Sequence, residues 1–460
     1  MPKDELSKFQ KIVSLCKRRG FVFPGSEIYG GLANTYDFGP LGVLMLRNII
    51  NLWWENFVTK RPEIFGLDTS ILMSPKVWEA SGHTVSFTND LVDCLKCKYR
   101  TRADHVIEDF LEKIDRPEKV EGRGVDELDE LIKNHKIPCP KCGESGWTKP
   151  RKFNQLFETH IGIVSENQSL SYIRGEIAQG MFVNFRNVLD TMRPKLPFGI
   201  AQAGKAFRNE VTLGNFIFRT LEFNLAEFEY FIDPKTDWEE TFGYWKHEMK
   251  EWVMSLGLLE ENLRWREHTK EERAHYSTQT EDLDYRFDFG FKEMFGLAYR
   301  TDYDLRNHME KSGTDLNYTD PQTNEKFIPH VVEPTFGINR IFLALLNEGY
   351  TQDGDRVVLK LDERVAPYRA AVFPLVKNNE QLVEKARSVY KELGASGLSI
   401  AWDDRGNIGK RYYSQDEIGT PACITVDYQT LEDDTVTVRH RDNAKQERVA
   451  IKDLRPTFVA

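Results

Sequence analysis

Long apolar runs are missing from this chain of 460 residues. No window approaches the roughly 18 consecutive apolar residues that a membrane-crossing helix needs. The opening Met1-Pro-Lys-Asp-Glu-Leu6 lacks the apolar core of a secretory leader, so the expectation is a cytosolic protein with no membrane partner. Cysteine is scarce, at 6 residues, which excludes a small disulfide-built scaffold. Positive charge is not in excess either. Against 62 Lys and Arg stand 72 Asp and Glu, a net charge of −10 that argues against a chain basic all over. From Ala366 onward 14 basic and 14 acidic residues balance, so the acidic surplus lies upstream and any contact with a polyanion is local and salt-sensitive. No serine or cysteine sits in a recognisable nucleophile-and-base pattern.

What is present is ordinary globular composition, 40% hydrophobic and 29% charged, with length for roughly two to four domains. One stretch, Gln202 to Ile232, stands out. A first arm ends in Phe207-Arg208-Asn209-Glu210; a second runs from Arg219 through Phe223, Glu227 and Glu229; Leu213-Gly214-Asn215-Phe216 lies between them. Gly-Asn between β-prone runs is a hairpin signal. Side chains two apart on a strand share a face, so Arg219, Phe223, Glu227 and Glu229 point one way. Facing Arg208 and Glu210, they put two guanidinium groups and up to three carboxylates around an aromatic ring. Arginine pairs with phosphate through its planar fork and stacks on flat rings, so this suits a purine nucleoside triphosphate. An ordinary solvated strand is the plain alternative.

Four of the cysteines form two pairs, Cys94-x2-Cys97 and Cys139-x2-Cys142. Four thiolates from two such knuckles suit tetrahedral zinc, with two disulfides as the alternative. Cys16 and Cys423 sit in apolar settings and read as buried packing residues.

The pattern Phe-Arg-x-Glu, loop, Arg-x-x-x-Phe-x-x-x-Glu resembles the second signature motif of the class II aminoacyl-tRNA synthetases. A helix from Leu46 to about Thr59 and a strand over Leu67 to Pro75 resemble the first, which in that family forms the dimer interface; a helix packed on its own core fits the pattern equally well. His330-Val-Val-Glu333-Pro-Thr335-Phe-Gly337-Ile-Asn-Arg340, read as strand, Gly-containing turn and helix, resembles the third. Tyr29-Gly-Gly through Gly39-Pro-Leu-Gly42, Arg102-Ala-Asp-His105, Arg174-Gly-Glu176-Ile-Ala-Gln-Gly180, His275-Tyr276, Gly290-Phe-Lys-Glu293-Met294 and Ala298-Tyr-Arg300-Thr-Asp302-Tyr-Asp304 resemble segments of the glycyl-tRNA synthetases in particular.

That resemblance implies an α+β chain. An antiparallel-sheet catalytic domain would occupy 1–365, interrupted by a zinc-clipped insertion at about 86–152 and a helical insertion at about 234–284, with an α/β anticodon-binding domain over 366–460. It implies ATP, Mg²⁺ and structural Zn²⁺, glycine and tRNA(Gly) as substrates, and a homodimer. Catalytic roles fall to Arg208, Glu210 and Arg340. ATP would meet Arg208, Asn209, Glu210, Phe218, Arg219, Phe223, Glu293, Met294, Gly337 and Arg340. Glycine would meet Arg102, Glu176, Phe223, Glu227, Glu333, Thr335 and Gly337, and the metal Cys94, Cys97, Cys139 and Cys142. The reaction would ligate glycine to tRNA through glycyl-adenylate.

Departures from the family pattern gather near this site: Gly175 for proline, which would loosen the backbone before Glu176, with Ile177, Leu221, Phe291, Lys292 and Thr335. They keep open a different small amino acid, or a catalytically idle nucleic-acid-binding descendant. Beyond Ala366, strand, helix and strand signals at Ala370, Glu380–Leu393, Leu398–Trp402 and Ala422–Val426 suit a separate α/β unit. There Arg411, Tyr412 and Tyr413 offer charge and stacking faces of the kind unpaired bases favour, or else local packing.

Overall fold

The computed structural model describes residues 6–118, 120, 122–163, 169–210, 214–270, 272–354 and 356–459. Its centre is a seven-stranded sheet in the order Leu263–Glu267, Gln279–Phe287, Gly290–Thr301, His330–Gly337, Glu222–Ile232, Phe198–Phe207, Ile64–Gly66. Every neighbouring pair is antiparallel except the last.

Alternation along Glu222–Ile232 gives this sheet two unlike faces. Phe228, Tyr230 and Ile232 enter the main core, where Phe228 packs with Trp53, Phe57 and Trp245, from the helices Pro40–Trp54 and Trp238–Ser255 and the turn Glu55–Thr59 between them. The opposite register carries Glu227 and Glu229, then Phe231, which joins a smaller apolar cluster under the helices Ala178–Val183 and Phe185–Met192. One face is therefore core from Ala226 to Ile232. The other is core only at its far end, and its near end is open to a cleft.

The first helix runs Lys8–Arg19. Ser7 ends it by accepting from the Gln10 amide while Gln10 reaches back, a capping box of the kind worth about 1 kcal/mol. The two arms do pair as a hairpin, but a long excursion joins them, with Gly214, Asn215 and Phe216 all at positive φ and a short 3₁₀ turn at Phe216–Phe218. Leu213 lies outside the described residues.

Three sequence-based expectations fail locally. Only Leu72–Met73 of Leu67 to Pro75 is a strand, and Pro75 instead opens the helix Pro75–Ala80, where its missing N–H costs nothing. The expected helical insertion at about 234–284 holds a single long helix, Trp238–Ser255, after which the chain supplies Leu263–Glu267 and most of Gln279–Phe287 to the central sheet. Nor does a separate turn precede the final catalytic-face helix; His330–Gly337 passes directly into Ile338–Gly349.

Between the strands Thr88–Asp93 and Arg151–Asn154, which pair with each other, stands a lobe with the helices Ala103–Lys113 and Val125–Asn134. Sequence reading expects this lobe to lack a core. It has one, built on Val92, Ile107, Leu111, Leu128 and Ile132. The C-terminal part forms its own five-stranded sheet, Ile400–Trp402, Ala370–Pro374, Ala422–Val426, Thr435–His440, Gln446–Ala450, parallel across the first three and antiparallel after. With the helix Glu380–Gly394 it encloses a separate apolar core.

Candidate active site

The open end of the sheet face forms a cleft of about 350 Å³. Lining it are Glu176, Arg208, Glu210, Phe218, Arg219, Phe223, Glu227, Glu293, Met294, Glu333, Thr335, Gly337 and Arg340, nearly all of the expected substrate residues. Two do not line it. Asn209 uses its amide on the Gln155 carbonyl, and Arg102, paired with Asp104, lines a neighbouring cavity that shares Glu176 and Arg208 with the cleft.

Strand register builds the floor. Glu227 lies opposite Thr335, whose hydroxyl donates to Glu227 Oε1 at 2.7 Å, and Glu333 lies opposite Ala298 on the next strand. Arg300, at a bulge in the pairing just beyond Tyr299, donates to Glu333 Oε1 at 2.7 Å. The same guanidinium makes paired bonds to Asp304 at 2.8 and 2.9 Å and stacks on Tyr276 at 3.6 Å. Gln179 extends this network, donating to Asp304 Oδ1 at 2.8 Å and Glu176 Oε1 at 3.0 Å while His308 contacts its carbonyl oxygen at 2.7 Å.

One arginine is too few for so many carboxylates. Glu227 Oε2 and both oxygens of Glu229 have no hydrogen-bond partner, though both side chains are buried. Burial first, then the neighbouring carboxylates, push Glu227 and Glu229 well above the ordinary glutamate range. Glu333 is raised by burial despite Arg300. Glu176 goes the other way. Burial opposes its ionisation, but His83, Arg300 and Gln179 outweigh it and hold the carboxyl well below its usual value.

The mouth is built of cations and rings. Arg208 lies 5.4 Å from the Phe223 ring centre and 5.1 Å from that of Phe87, steered by donation from Nε to the Gly175 carbonyl at 3.0 Å. Arg340 sits 4.6 Å from the Phe218 ring centre and pairs with Glu293 at 2.8 Å. Gly337 permits this approach, since a Cβ there would come 2.5 Å from the Met294 carbonyl oxygen. The expectation that Gly175, in place of proline, loosens the backbone before Glu176 does not hold. Gly175 is buried, clamped by Arg208, and a Cβ would meet Leu156 and Phe87 at 3.0 Å each. Leu221 does not line the cleft; its amide donates to Asn34 in the glycine-rich stretch.

Sequence reading overlooked the side wall, His268, Glu272, Thr280 and Asp282. His268 Nε2 lies 2.6 Å from Asp282 Oδ2 and Arg266 donates to the same oxygen at 2.7 Å; burial, then Glu293, still push Asp282 up to about 6. The available signal was charge at spacing two, Arg264, Arg266 and His268 against Asp282 and Asp284, hidden by the expectation of helix.

Away from the cleft the four paired cysteines converge, with all sulfurs within 4.8 Å of one another. Cys94 and Cys142 are 3.6 Å apart and Cys97 and Cys139 3.7 Å, close to the edge of about 3.8 Å that follows from tetrahedral zinc with Zn–S bonds of about 2.3 Å. Left-handed residues just after each knuckle, Lys98 and Gly143, turn the chain back. Backbone amides at Cys97 and Lys96 help draw the Cys94 thiol down to about 7, which favours the thiolate a metal needs. The donor set fits zinc. Cys16 and Cys423 are buried, their thiols raised by burial.

In the C-terminal unit Arg411 and Tyr412 are buried and occupied. Arg411 donates to the carbonyls of Pro374, Arg405 and Gly406, and Tyr412 meets Thr425. Only Tyr413 of the three is exposed.

The family described as anticodon binding domain matches residues 369–460. A glycine–tRNA ligase of Caldanaerobacter subterraneus subsp. tengcongensis is 51% identical over 448 residues, 96% of each chain. Those of Geobacillus thermodenitrificans and Alkaliphilus oremlandii are 50% and 49% identical over 98% and 97% of this chain and 97% and 96% of theirs. Identity near one half, sustained across both the cleft-bearing part and the C-terminal unit, makes the chain a member of the glycine–tRNA ligase family.

Proposed function

We propose that the cleft joins glycine to ATP and passes the glycyl group to tRNA(Gly), on a class II synthetase catalytic domain spanning 1–365. The observation carrying this reading is the polarity of the cleft: buried carboxylates without enough cations at the floor, arginines between aromatic rings at the mouth. A zwitterion's ammonium fits the first, and a nucleoside triphosphate the second.

In this reading Glu176, Glu227 and Glu333 receive the ammonium, and Thr335 fixes the orientation of Glu227. The glycine carboxylate oxygen forms a bond to the α-phosphorus of ATP as the bond to pyrophosphate breaks. Arg208 stabilises charge developing on the α-phosphoryl oxygens, Phe223 stacks on adenine, and Arg219 and Arg340 hold the outer phosphates. No side-chain nucleophile enters. The terminal ribose hydroxyl of tRNA then attacks the glycyl carbonyl, and AMP leaves. Magnesium, when bound, neutralises phosphate charge; Glu293 and Glu210, whose Oε2 lacks a partner, are the carboxylates suited to hold it. Glycine offers no side chain to grip, so selection rests on filling the space around its α-carbon.

Cys94, Cys97, Cys139 and Cys142 hold structural zinc, the unit 366–460 contacts tRNA, and the chain works as a cytosolic homodimer. No helix among the described residues is long and apolar enough to cross a membrane. The test is ATP–pyrophosphate exchange with glycine, alanine and serine. Exchange with glycine alone supports the reading, and exchange with none sinks it. Metal analysis adds a second check, expected to find about one zinc per chain, falling in Cys142→Ser.

A further inference from the structure

His83 is buried to 1% exposure beside the cleft without lining it. Its Nε2 lies 3.0 Å from Glu176 Oε2, while Gln179 already donates to Glu176 Oε1 at 3.0 Å. Both oxygens of this one floor carboxylate are therefore held, unlike those of Glu229. On the other side of the ring, Nδ1 lies 2.8 Å from the Ser81 hydroxyl. An ionised Glu176 can only accept, so Nε2 carries a proton facing it, while Nδ1 is held by the Ser81 hydroxyl, which also lies 3.3 Å from the Trp78 carbonyl oxygen. Ring packing fixes the plane, with Trp78 edge-on at 5.3 Å and Phe87 at 5.1 Å.

The backbone around His83 is held for the same geometry. Gly82 has φ +81°, and a Cβ there would approach His275 Nε2 to 2.9 Å. His275 Nε2 in turn meets the Ser81 carbonyl oxygen at 2.9 Å.

We infer that His83, oriented by Ser81, is a positioning residue for amino-acid binding: it donates to Glu176 and keeps that carboxylate aimed at the substrate ammonium. This rests on the reading of the floor as the glycine site. His83 touches neither the nucleotide end nor the reacting atoms, so its loss acts on one substrate. Two replacements separate the hydrogen bond from packing: glutamine at position 83 can supply an N–H near the place of Nε2, whereas leucine keeps bulk and supplies none.

The experiment is glycine-dependent ATP–pyrophosphate exchange on the full chain and on His83→Leu, His83→Gln and Ser81→Ala, with melting temperature recorded for each. His83→Leu is expected to raise KM for glycine about tenfold or more, the effect of losing a hydrogen bond to a charged group, with KM for ATP within about twofold. His83→Gln restores most of the loss. Ser81→Ala, which leaves Nδ1 without its hydroxyl partner and loosens the ring's orientation, raises KM for glycine by about threefold or more. The assignment is overturned if His83→Leu binds glycine normally, if His83→Gln is as impaired as His83→Leu, or if both substrates weaken together. Should His83→Leu fail to fold, Ser81→Ala decides, and a normal KM for glycine overturns the assignment. A native chain inert with glycine would sink the functional reading itself; an active native chain with unaffected variants would sink only the role of His83.

Discussion

At the floor of the cleft Glu227 and Glu333, with Glu229 close beside them, are each at most 5% exposed and Arg300 bonds Glu333, whereas at the mouth Arg208, Arg219 and Arg340 stay half-buried, the first and last of them beside aromatic rings. The difference is more than one of sign. Carboxylates can meet excess charge by taking up protons, and guanidinium groups cannot. The floor is therefore a place where protons stand in for a cation until the substrate arrives. The mouth keeps its charge at every ordinary pH and is preorganised for an anion.

Removing charge from the mouth is expected to have the largest effect. Arg208→Ala should lower kcat/KM in glycine-dependent exchange by at least about a hundredfold, the scale of losing one preorganised donor; a fall of less than about tenfold would mean the mouth is not preorganised as described. The floor should instead show itself through pH. Glu227 is raised by burial and then by Glu333 and Glu176, so it must lose a proton before it can hold an ammonium. KM for glycine is expected to fall as pH rises, by up to about tenfold per unit while one proton is displaced, until the amino group of glycine itself deprotonates. KM for ATP measured in parallel should stay nearly flat across that range, and a matching slope for both substrates would erase the contrast.

Stability should register the same protons. With its folded value raised above the ordinary 4.5, Glu229 stabilises the fold at acid pH and loses that contribution as pH climbs through the folded value. Glu229→Gln cannot ionise and should melt about 2 °C or more above the native chain at pH 8, with the gain shrinking toward pH 5. The smallest change is expected from Thr335→Ser, which keeps the hydroxyl that donates to Glu227. KM for glycine should move less than about tenfold, the lower end of what one methyl group is worth in a pocket.

Much of this site was legible because strands repeat every two residues. Phe223, Glu227 and Glu229 could be placed on one face from spacing alone, and register then brought Thr335 and Glu333 beside them; Arg219, expected on that face, instead precedes the strand, just after the turn Phe216–Phe218, and reaches the cleft from there. His268 and Asp282 were lost because a dense mixture of Trp, Glu and Lys before them favoured helix, and pairing between distant strands overrode that local preference. His83 and Arg300 were opaque for another reason: their importance lies in partners far along the chain, Glu176 and Glu333. Arg411 and Tyr412 show the limit of residue type. The same charge-and-ring pair that lines the mouth is spent, in the C-terminal unit, on bonding three carbonyls and a threonine. The core of the lobe between Thr88 and Asn154 escaped notice because its apolar residues are spread over two short helices and a strand, none of them long.

The lobe's attachment has a consequence for how such a chain can change over generations. Thr88 on the outgoing strand and Asn154 on the returning one are direct partners across a single ladder, so the chain comes back about 5 Å from where it left. A segment joined in that way behaves as a cartridge. It can lengthen, shorten or be exchanged while its two attachment points stay put, reshaping the cavity beside the cleft without shifting the register of the central sheet.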